Sequence, residues 1–197
     1  MGPMPDYDRH TALLVVDVQN DFVDPGGSLY VRDGEAVVPA LNEEIVKAAA
    51  SGAQVVYTQD WHPDHTPHFE RDGGIWPVHC VHDTWGSAFH PDLRVSSDVV
   101  RKGGGGEDGY SAFSVRDPVG GLTSSTVLHS LLRERKVTRL VIGGVATDYC
   151  VVETVVDARM LGYQVEVLRD GICAVDVQPG DGQLAIARMR DAGAEAV

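Results

Sequence analysis

Short β-branched apolar runs alternate along the chain with longer segments of helical periodicity. The apolar runs predict strands and the periodic segments predict helices between them. The predicted strands are 12–16, 55–58, 99–100, 140–142 and 164–168, with 195–197 as a candidate sixth. The predicted helices are 38–51, 123–135, 148–161 and about 180–192. This alternation indicates a doubly wound, three-layer α/β sandwich with a mostly parallel sheet of five to six strands.

The longest segment without a repeating pattern is 59–96, which is rich in histidine and aromatic residues. A long irregular segment inside a compact domain usually has a function. A length of 197 residues suits one hydrophobic core and is short for two. We therefore predict a single domain over residues 1–197 with a site-forming loop at about 59–96.

The net charge of the chain limits the kinds of partner that it can bind. The chain has 16 Lys and Arg residues against 29 Asp and Glu residues, a formal net charge of −13. Such a surface repels phosphate backbones and anionic membranes. The chain lacks a secretion signal pattern, and no apolar run approaches the roughly 18 residues that span a bilayer. We expect a cytoplasmic protein with no nucleic-acid or membrane partner, and composition leaves homo-oligomerisation open.

The three cysteines, Cys80, Cys150 and Cys173, are an odd number in a chain without a secretion signal. This argues against a disulfide framework and leaves catalytic, metal-binding or core roles. Their positions in the chain distinguish these roles. Cys150 follows a predicted strand at the start of a helix, which favours a catalytic role. We expect Cys80 and Cys173 to be buried or incidental.

Three reactive side chains follow three of the predicted strands. Asp17 follows the first strand, Lys102 the third and Cys150 the fourth. Parallel strands of a doubly wound sheet end at one edge, and ligands bind there where the strand order reverses. We therefore expect these three side chains to converge in space.

This trio suits nucleophilic cleavage of an amide. Cysteine attacks as a thiolate, and a helix N-terminus with a neighbouring ammonium lowers a thiol pKa. The sequence thus predicts that Lys102 lowers the pKa of Cys150, and that Asp17 accepts the thiol proton and returns it to the leaving amine. The turn before Cys150 exposes backbone N–H groups, so the amides of Ala146 and Cys150 are candidate donors to an oxyanion.

A second group of candidate ligands lies in the loop at 59–96. Asp60 and His62 share one side of an extended segment, and His65, His68 and His79 follow. A carboxylate with two or three imidazoles suits one zinc, iron(II) or manganese ion and leaves a position for water or a ligand nitrogen. The residues alone leave open which imidazoles bind, and a solvated histidine-rich loop is the alternative.

Five segments carry a family resemblance. In chain order they are ALLVVDVQNDF, QDWHP followed by HF, WPVHC, RKG followed by YSAF, and GGVATDYCV. Over nearly the whole chain they resemble the nicotinamidases and pyrazinamidases of the isochorismatase-like cysteine hydrolase superfamily. The resemblance implies the isochorismatase-like hydrolase fold and a catalytic triad of Asp17, Lys102 and Cys150. It also implies a cis peptide bond between Val145 and Ala146, next to an oxyanion hole formed by the Ala146 and Cys150 amides.

The same resemblance implies one divalent metal ion beside the triad, which is zinc, iron or manganese in that family. Asp60, His62 and His79 match its ligands, and His68 matches a fourth ligand in some members of the branch. We prefer His68 to His65 because a phenylalanine follows it, as in the family's His-Phe pair. His65 is then expected to be solvated.

The activity implied by the resemblance is metal-dependent hydrolysis of nicotinamide to nicotinate and ammonia through a thioester, a step of NAD salvage. The nearest alternative is an amidase of the same superfamily that acts on another small amide or carbamoyl compound. A nucleotide-binding or signalling module and a thiol peroxidase are alternatives from other classes, disfavoured by the metal-like loop and by the lack of a nearby resolving cysteine. The aromatic positions that match the walls of the family's ring pocket are Phe22, Trp76, Tyr110 and Tyr149.

Overall fold

The computed structural model describes residues 6–196. Its strands are β1 Thr11–Val16, β2 Gln54–Asp60, β3 Val99–Lys102, β4 Ser114–Arg116, β5 Thr123–Ser125, β6 Arg139–Val145, β7 Gln164–Cys173 and β8 Glu195–Ala196. Its helices are α1 Asn20–Val23, α2 Val37–Ala50, α3 Leu128–Glu134, α4 Val152–Met160 and α5 Asp181–Asp191. In the part of the chain that the structure describes, none of the helices has the length and apolar sequence of a transmembrane span.

Six strands form one sheet in the order β3-β2-β1-β6-β7-β8, and every neighbouring pair is parallel. The predicted doubly wound α/β fold is therefore confirmed. The candidate sixth strand is present at Glu195–Ala196, whereas Val197 lies outside the described residues. The strands β4 and β5 form a separate antiparallel hairpin.

The central strand β1 is buried on both faces, which explains its unbroken apolar sequence. Leu13 and Val15 pack in one core cluster with α2, while Leu14 and Val16 pack in a second with α3, α4 and α5. Each such buried side chain contributes about 1.5–3 kcal/mol. The result is three layers, with the sheet between helices on both faces.

The strand order reverses between β1 and β6. The chain proceeds outward from β1 to β2 and β3, and β6 then pairs with the opposite side of β1. The two connections diverge at the carboxyl ends of β1 and β6, which leaves a crevice for a ligand. Asp17 directly follows β1 and Ala146 directly follows β6, so the predicted site residues lie at this crevice.

The predicted helix at 123–135 is wrong over its first residues. Thr123–Ser125 pair with Ser114–Arg116 in the hairpin, and α3 begins at Leu128. The Ser and Thr residues near which the helix was expected to start, Thr123–Ser125, are exposed hairpin residues. The next residue, Thr126, does act at the helix start, because its Oγ1 accepts the N–H of Leu128 at 3.2 Å.

Gly144 allows β6 to approach β1 closely, and its substitution should be costly. Its φ is +128°, and a Cβ there would lie 2.0 Å from the carbonyl oxygen of Val16. We expect Gly144→Ala to lower the free energy of unfolding by roughly 3 kcal/mol or more, as measured by urea denaturation. The control is Gly162→Ala. Gly162 has a φ of +90° and nothing within 4 Å of a Cβ, so this variant is destabilised by backbone strain alone. Equal losses in the two variants would contradict the steric argument.

Candidate active site

Four adjacent strands bring their candidate residues to the crevice. Lys102 ends β3, Asp60 ends β2, and Asp17 follows β1. Cys150 lies in a π-helical turn, Thr147–Val151, that connects β6 to α4. Such wide turns are rare and are frequent at functional sites. The structure thus brings together the three side chains that the sequence predicts to converge, and it adds Asp60 to them.

Lys102 is an ammonium shared between two buried carboxylates. Its Nζ lies 2.8 Å from Oδ2 of Asp17, 2.8 Å from Oδ1 of Asp60 and 3.6 Å from Sγ of Cys150. Burial acts to lower the pKa of Lys102, but the two carboxylates more than offset this and raise it well above its usual range. Lys102 is therefore charged at every physiological pH.

Asp17 is held in place by Thr58. The hydroxyl of Thr58 donates to Oδ1 of Asp17 at 2.6 Å and accepts the Asp17 backbone N–H at 3.2 Å. Burial raises the pKa of Asp17 against the opposing charge of Lys102, and the nearby Asp60 adds to the increase. A raised pKa makes this carboxylate a better proton acceptor. Sequence reasoning missed Thr58, a fully buried polar residue that directly follows the apolar residues of β2.

The structure corrects the predicted pKa of Cys150. Burial raises the pKa of its thiol well above the usual range, and Lys102 lowers it only in part because Asp17 and Asp60 also lie near the sulfur. The sequence did not reveal that Asp60 shares the ammonium. The resting sulfur is thus a protonated thiol. Its Sγ and carboxylate oxygens of Asp17 and Asp60 lie within 4.8 Å of one another, so a base is at hand to remove the proton.

Three imidazoles form a buried cluster beside this group. His62, His68 and His79 each contribute a ring nitrogen, and these atoms lie within 4.8 Å of one another. Nε2 of His62 is 3.8 Å from Oδ2 of Asp60. Both ring nitrogens of His62 are buried, and neither has a hydrogen-bond partner in the described part of the chain. Because such orphaned nitrogens are costly unless they bind something, the donor set fits a divalent metal ion.

The other two imidazoles have one nitrogen engaged and one free for the cluster. Nδ1 of His79 lies 2.7 Å from the carbonyl oxygen of Pro77, and Nδ1 of His68 lies 2.8 Å from Oδ1 of Asp108. Metal-binding imidazoles are typically oriented by such bonds. Burial lowers the pKa of His79 to about 4 despite the charge of Asp60. His79 is therefore neutral at physiological pH, as a ligand must be.

The structure distinguishes His65 from His68 as the imidazole that joins His62 and His79. The side chain of His65 is 76% exposed, and its Nδ1 lies 3.0 Å from Oδ1 of Asp72. His65 is thus outside the cluster, whereas the side chain of His68 is 7% exposed and inside it. The preference for His68 agrees with this placement.

An apolar cleft of about 540 Å³, including its open mouth, leads to Cys150. The rings of Trp76 and Tyr149 meet edge to face at 5.2 Å, and Tyr110 meets Tyr149 in the same way at 5.4 Å. Nε1 of Trp76 donates to the hydroxyl of Tyr110 at 3.0 Å. Phe22 and Tyr30 also line it, so all four aromatic residues selected from the sequence line the cleft, together with one that was not selected.

Sequence reasoning missed part of this cleft. Its remaining apolar lining includes Val175, which follows β7, and the segment 29–31. Val175 is held there because the carboxylate of Asp148 accepts the backbone N–H groups of Val175 and Asp176, each at 2.9 Å. The segment 29–31 carries no pattern that marks it as part of a site.

The peptide bond between Val145 and Ala146, which lies between β6 and the π-helical turn, is cis. This is the conformation that the resemblance implies.

The profile of the isochorismatase domain matches residues 11–197. The chain belongs to the isochorismatase domain family.

Proteins similar to this chain over most of its length carry the names nicotinamidase and pyrazinamidase. Nicotinamidase of Escherichia coli (strain K12) is 38% identical to it, over 93% of this chain and 92% of that protein. The pyrazinamidase of Pyrococcus horikoshii in complex with zinc is 38% identical, with a TM-score of 0.85 over 95% of this chain and 98% of that one. PnC1 from L. infantum in complex with nicotinate is 36% identical, with a TM-score of 0.84 over 96% of this chain and 92% of that one.

Proposed function

We propose that this protein is a metal-dependent cysteine amidohydrolase that converts nicotinamide to nicotinate and ammonia. The observation that carries the proposal is the position of Cys150, Asp17 and Lys102 at an aromatic-walled cleft, beside a cluster of imidazoles. The names of the similar proteins, nicotinamidase and pyrazinamidase, support the same reaction. The nicotinate in the L. infantum structure supports the acid product.

In the first half of the reaction, Asp17 accepts the proton of the Cys150 thiol. Its raised pKa suits this step, and Lys102 stabilises the thiolate that forms. The sulfur then attacks the carboxamide carbon. The backbone N–H groups of Ala146 and Cys150 donate to the oxygen that becomes negative in the tetrahedral intermediate.

The second half releases the two products. Asp17 returns its proton to the leaving nitrogen, so that ammonia departs and a thioester to Cys150 remains. Water then attacks the thioester carbon while Asp17 accepts a proton from it. The carbon–sulfur bond breaks, the sulfur recovers its proton from Asp17, and the carboxylic acid leaves and ionises to nicotinate in water.

The metal site is proposed from the imidazole cluster. His62, His68 and His79, with the Oδ2 oxygen of Asp60, would hold one divalent ion. Zinc is the ion that we propose, and iron and manganese are the alternatives. Such an ion supplies Lewis-acid binding to the pyridine nitrogen or to a water in the cleft. Oδ1 of Asp60 stays paired with Lys102, so this carboxylate couples the metal site to the catalytic group.

The walls of the cleft suit a flat heteroaromatic ring. Phe22, Trp76, Tyr110 and Tyr149 offer aromatic faces and edges against which such a ring can pack. The chain's three cysteines are free thiols, which supports our placement of the protein in a reducing compartment such as the cytoplasm. There the reaction would serve the salvage of NAD.

Ammonia release from nicotinamide by metal-analysed protein tests this function. Release that depends on Cys150 supports it. A metal-replete protein that releases no ammonia would contradict it, and a screen of other small amides and carbamoyl compounds would then test the alternative amidase.

Removing the metal should abolish turnover. We expect protein dialysed against a strong chelator to release ammonia no faster than Cys150→Ala, because the proposed ligands would no longer hold the ion that binds the substrate ring or a water. Restored turnover on addition of zinc, iron(II) or manganese identifies the ions that support the reaction. Undiminished turnover in protein shown by elemental analysis to be metal-free would contradict the metal role.

A further inference from the structure

His68 differs from the other imidazoles of the cluster because it contacts a carboxylate outside the site. Oδ1 of Asp108 lies 2.8 Å from Nδ1 of His68. The same oxygen accepts the backbone N–H of Gly109 at 2.8 Å. A carboxylate acceptor at this distance fixes the proton of the imidazole on Nδ1 and leaves the lone pair on Nε2, the nitrogen that remains for the cluster.

The backbone of Asp108 is fixed by the small hairpin. Its N–H donates to the carbonyl oxygen of Arg116 at 2.7 Å, and its carbonyl accepts the N–H of Arg116 at 2.6 Å. Arg116 is the last residue of β4, which pairs with β5. The hairpin therefore holds the carboxylate that contacts His68, although it is not part of the main sheet.

The loop that carries His68 is tied to the segment before Asp108. The hydroxyl of Thr66 donates to the carbonyl oxygen of Gly106 at 3.0 Å, and it accepts the backbone N–H of His68 at 3.3 Å. Both partners of the His68–Asp108 contact thus have fixed backbones. The geometry is that of a built contact between two loops rather than a chance approach of two side chains.

We propose that Asp108 is a positioning residue that orients His68 for metal binding. Its carboxylate selects the imidazole tautomer with a free Nε2 and holds the ring in the orientation that points this nitrogen into the cluster. This inference depends on the metal site in the proposed function. It also assigns a role to the hairpin, which carries none of the catalytic residues.

The test is the zinc affinity of metal-free protein, measured by competition with a chromophoric chelator. We expect Asp108→Ala to raise the zinc dissociation constant by about 10–100-fold. Asp108→Asn keeps an oxygen acceptor without the charge, and its affinity should lie between those of Asp108→Ala and the wild type. The matched control is Asp64→Ala, which removes one exposed carboxylate from the same loop as His68 and should bind zinc as the wild type does.

A double-mutant cycle separates positioning from general structural support. In a His68→Gln background, Asp108→Ala should weaken zinc binding no further, because the ligand through which it acts is gone. The visible spectrum of cobalt(II)-loaded protein should change in Asp108→Ala and stay unchanged in Asp64→Ala. If Asp108→Ala fails to fold, the same cycle is measured with Asp108→Asn.

Two negative results have different meanings. Wild-type zinc affinity in the Asp108 variants, or additive losses in the cycle, would overturn the role of Asp108 and leave the proposed function standing. Wild-type protein that binds none of zinc, iron(II) and manganese in the same titration would overturn both the role of Asp108 and the proposed metal site.

Discussion

Cys150→Ala should lower ammonia release from nicotinamide by at least about 10⁴-fold, because the substitution removes the atom that attacks the carboxamide carbon. The cleft, the imidazole cluster and the oxyanion donors would all remain. Substrate would therefore still bind, and the loss should appear in kcat rather than in KM. The measurement is steady-state ammonia release over a range of nicotinamide concentrations.

The control for this prediction is Cys173→Ala. The side chain of Cys173 is partly buried, with its Sγ 3.3 Å from the carbonyl oxygen of Arg32. It lacks contact with Lys102 and Asp17, so we expect turnover close to that of the wild type. The metal content of Cys150→Ala must equal that of the wild type, which assigns the loss to the sulfur. Turnover in Cys150→Ala within tenfold of the wild type would rule out the nucleophile.

The sheet and the convergence of three site residues were predictable because both depend on local patterns. β-Branched apolar runs such as the one in β1 indicate strands of a parallel sheet, and parallel strands end at one edge. Asp17, Lys102 and Cys150 each follow such a run closely, so topology alone brings them near one another.

The features that the sequence did not give depend on burial and on contacts between loops. The sequence predicted that the pKa of Cys150 is lowered, whereas it is raised. No local pattern reveals that this thiol is buried beside two carboxylates. The start of α3 was wrong because several adjacent Ser and Thr residues can each begin a helix, and pairing with β4 decides among them. The contact between Asp108 and His68 joins two segments that are 40 residues apart in the chain, and neither segment alone indicates the other.

Lys102→Met should destabilise the metal-free fold as well as remove activity. The Lys102 side chain is 1% exposed and lies between the carboxylates of Asp17 and Asp60, each at 2.8 Å. Removing one partner of a buried ion pair leaves an uncompensated charge, which costs about 3–5 kcal/mol. Two carboxylates would here lose their common counterion. We expect the free energy of unfolding at pH 8, from urea denaturation of metal-free protein, to fall by about this amount.

The pH dependence of this loss distinguishes charge from packing. Without the ammonium, the folded-state pKa of Asp17 should rise further above its unfolded value, so the folded variant binds more protons than the unfolded chain as the pH falls. Its stability relative to the wild type therefore increases from pH 8 to pH 5. The control is Lys47→Met, which breaks a partly exposed pair with Glu44 at 2.6 Å and should cost at most about 1 kcal/mol. A deficit in Lys102→Met that is constant with pH would indicate lost packing rather than two buried carboxylates without a counterion.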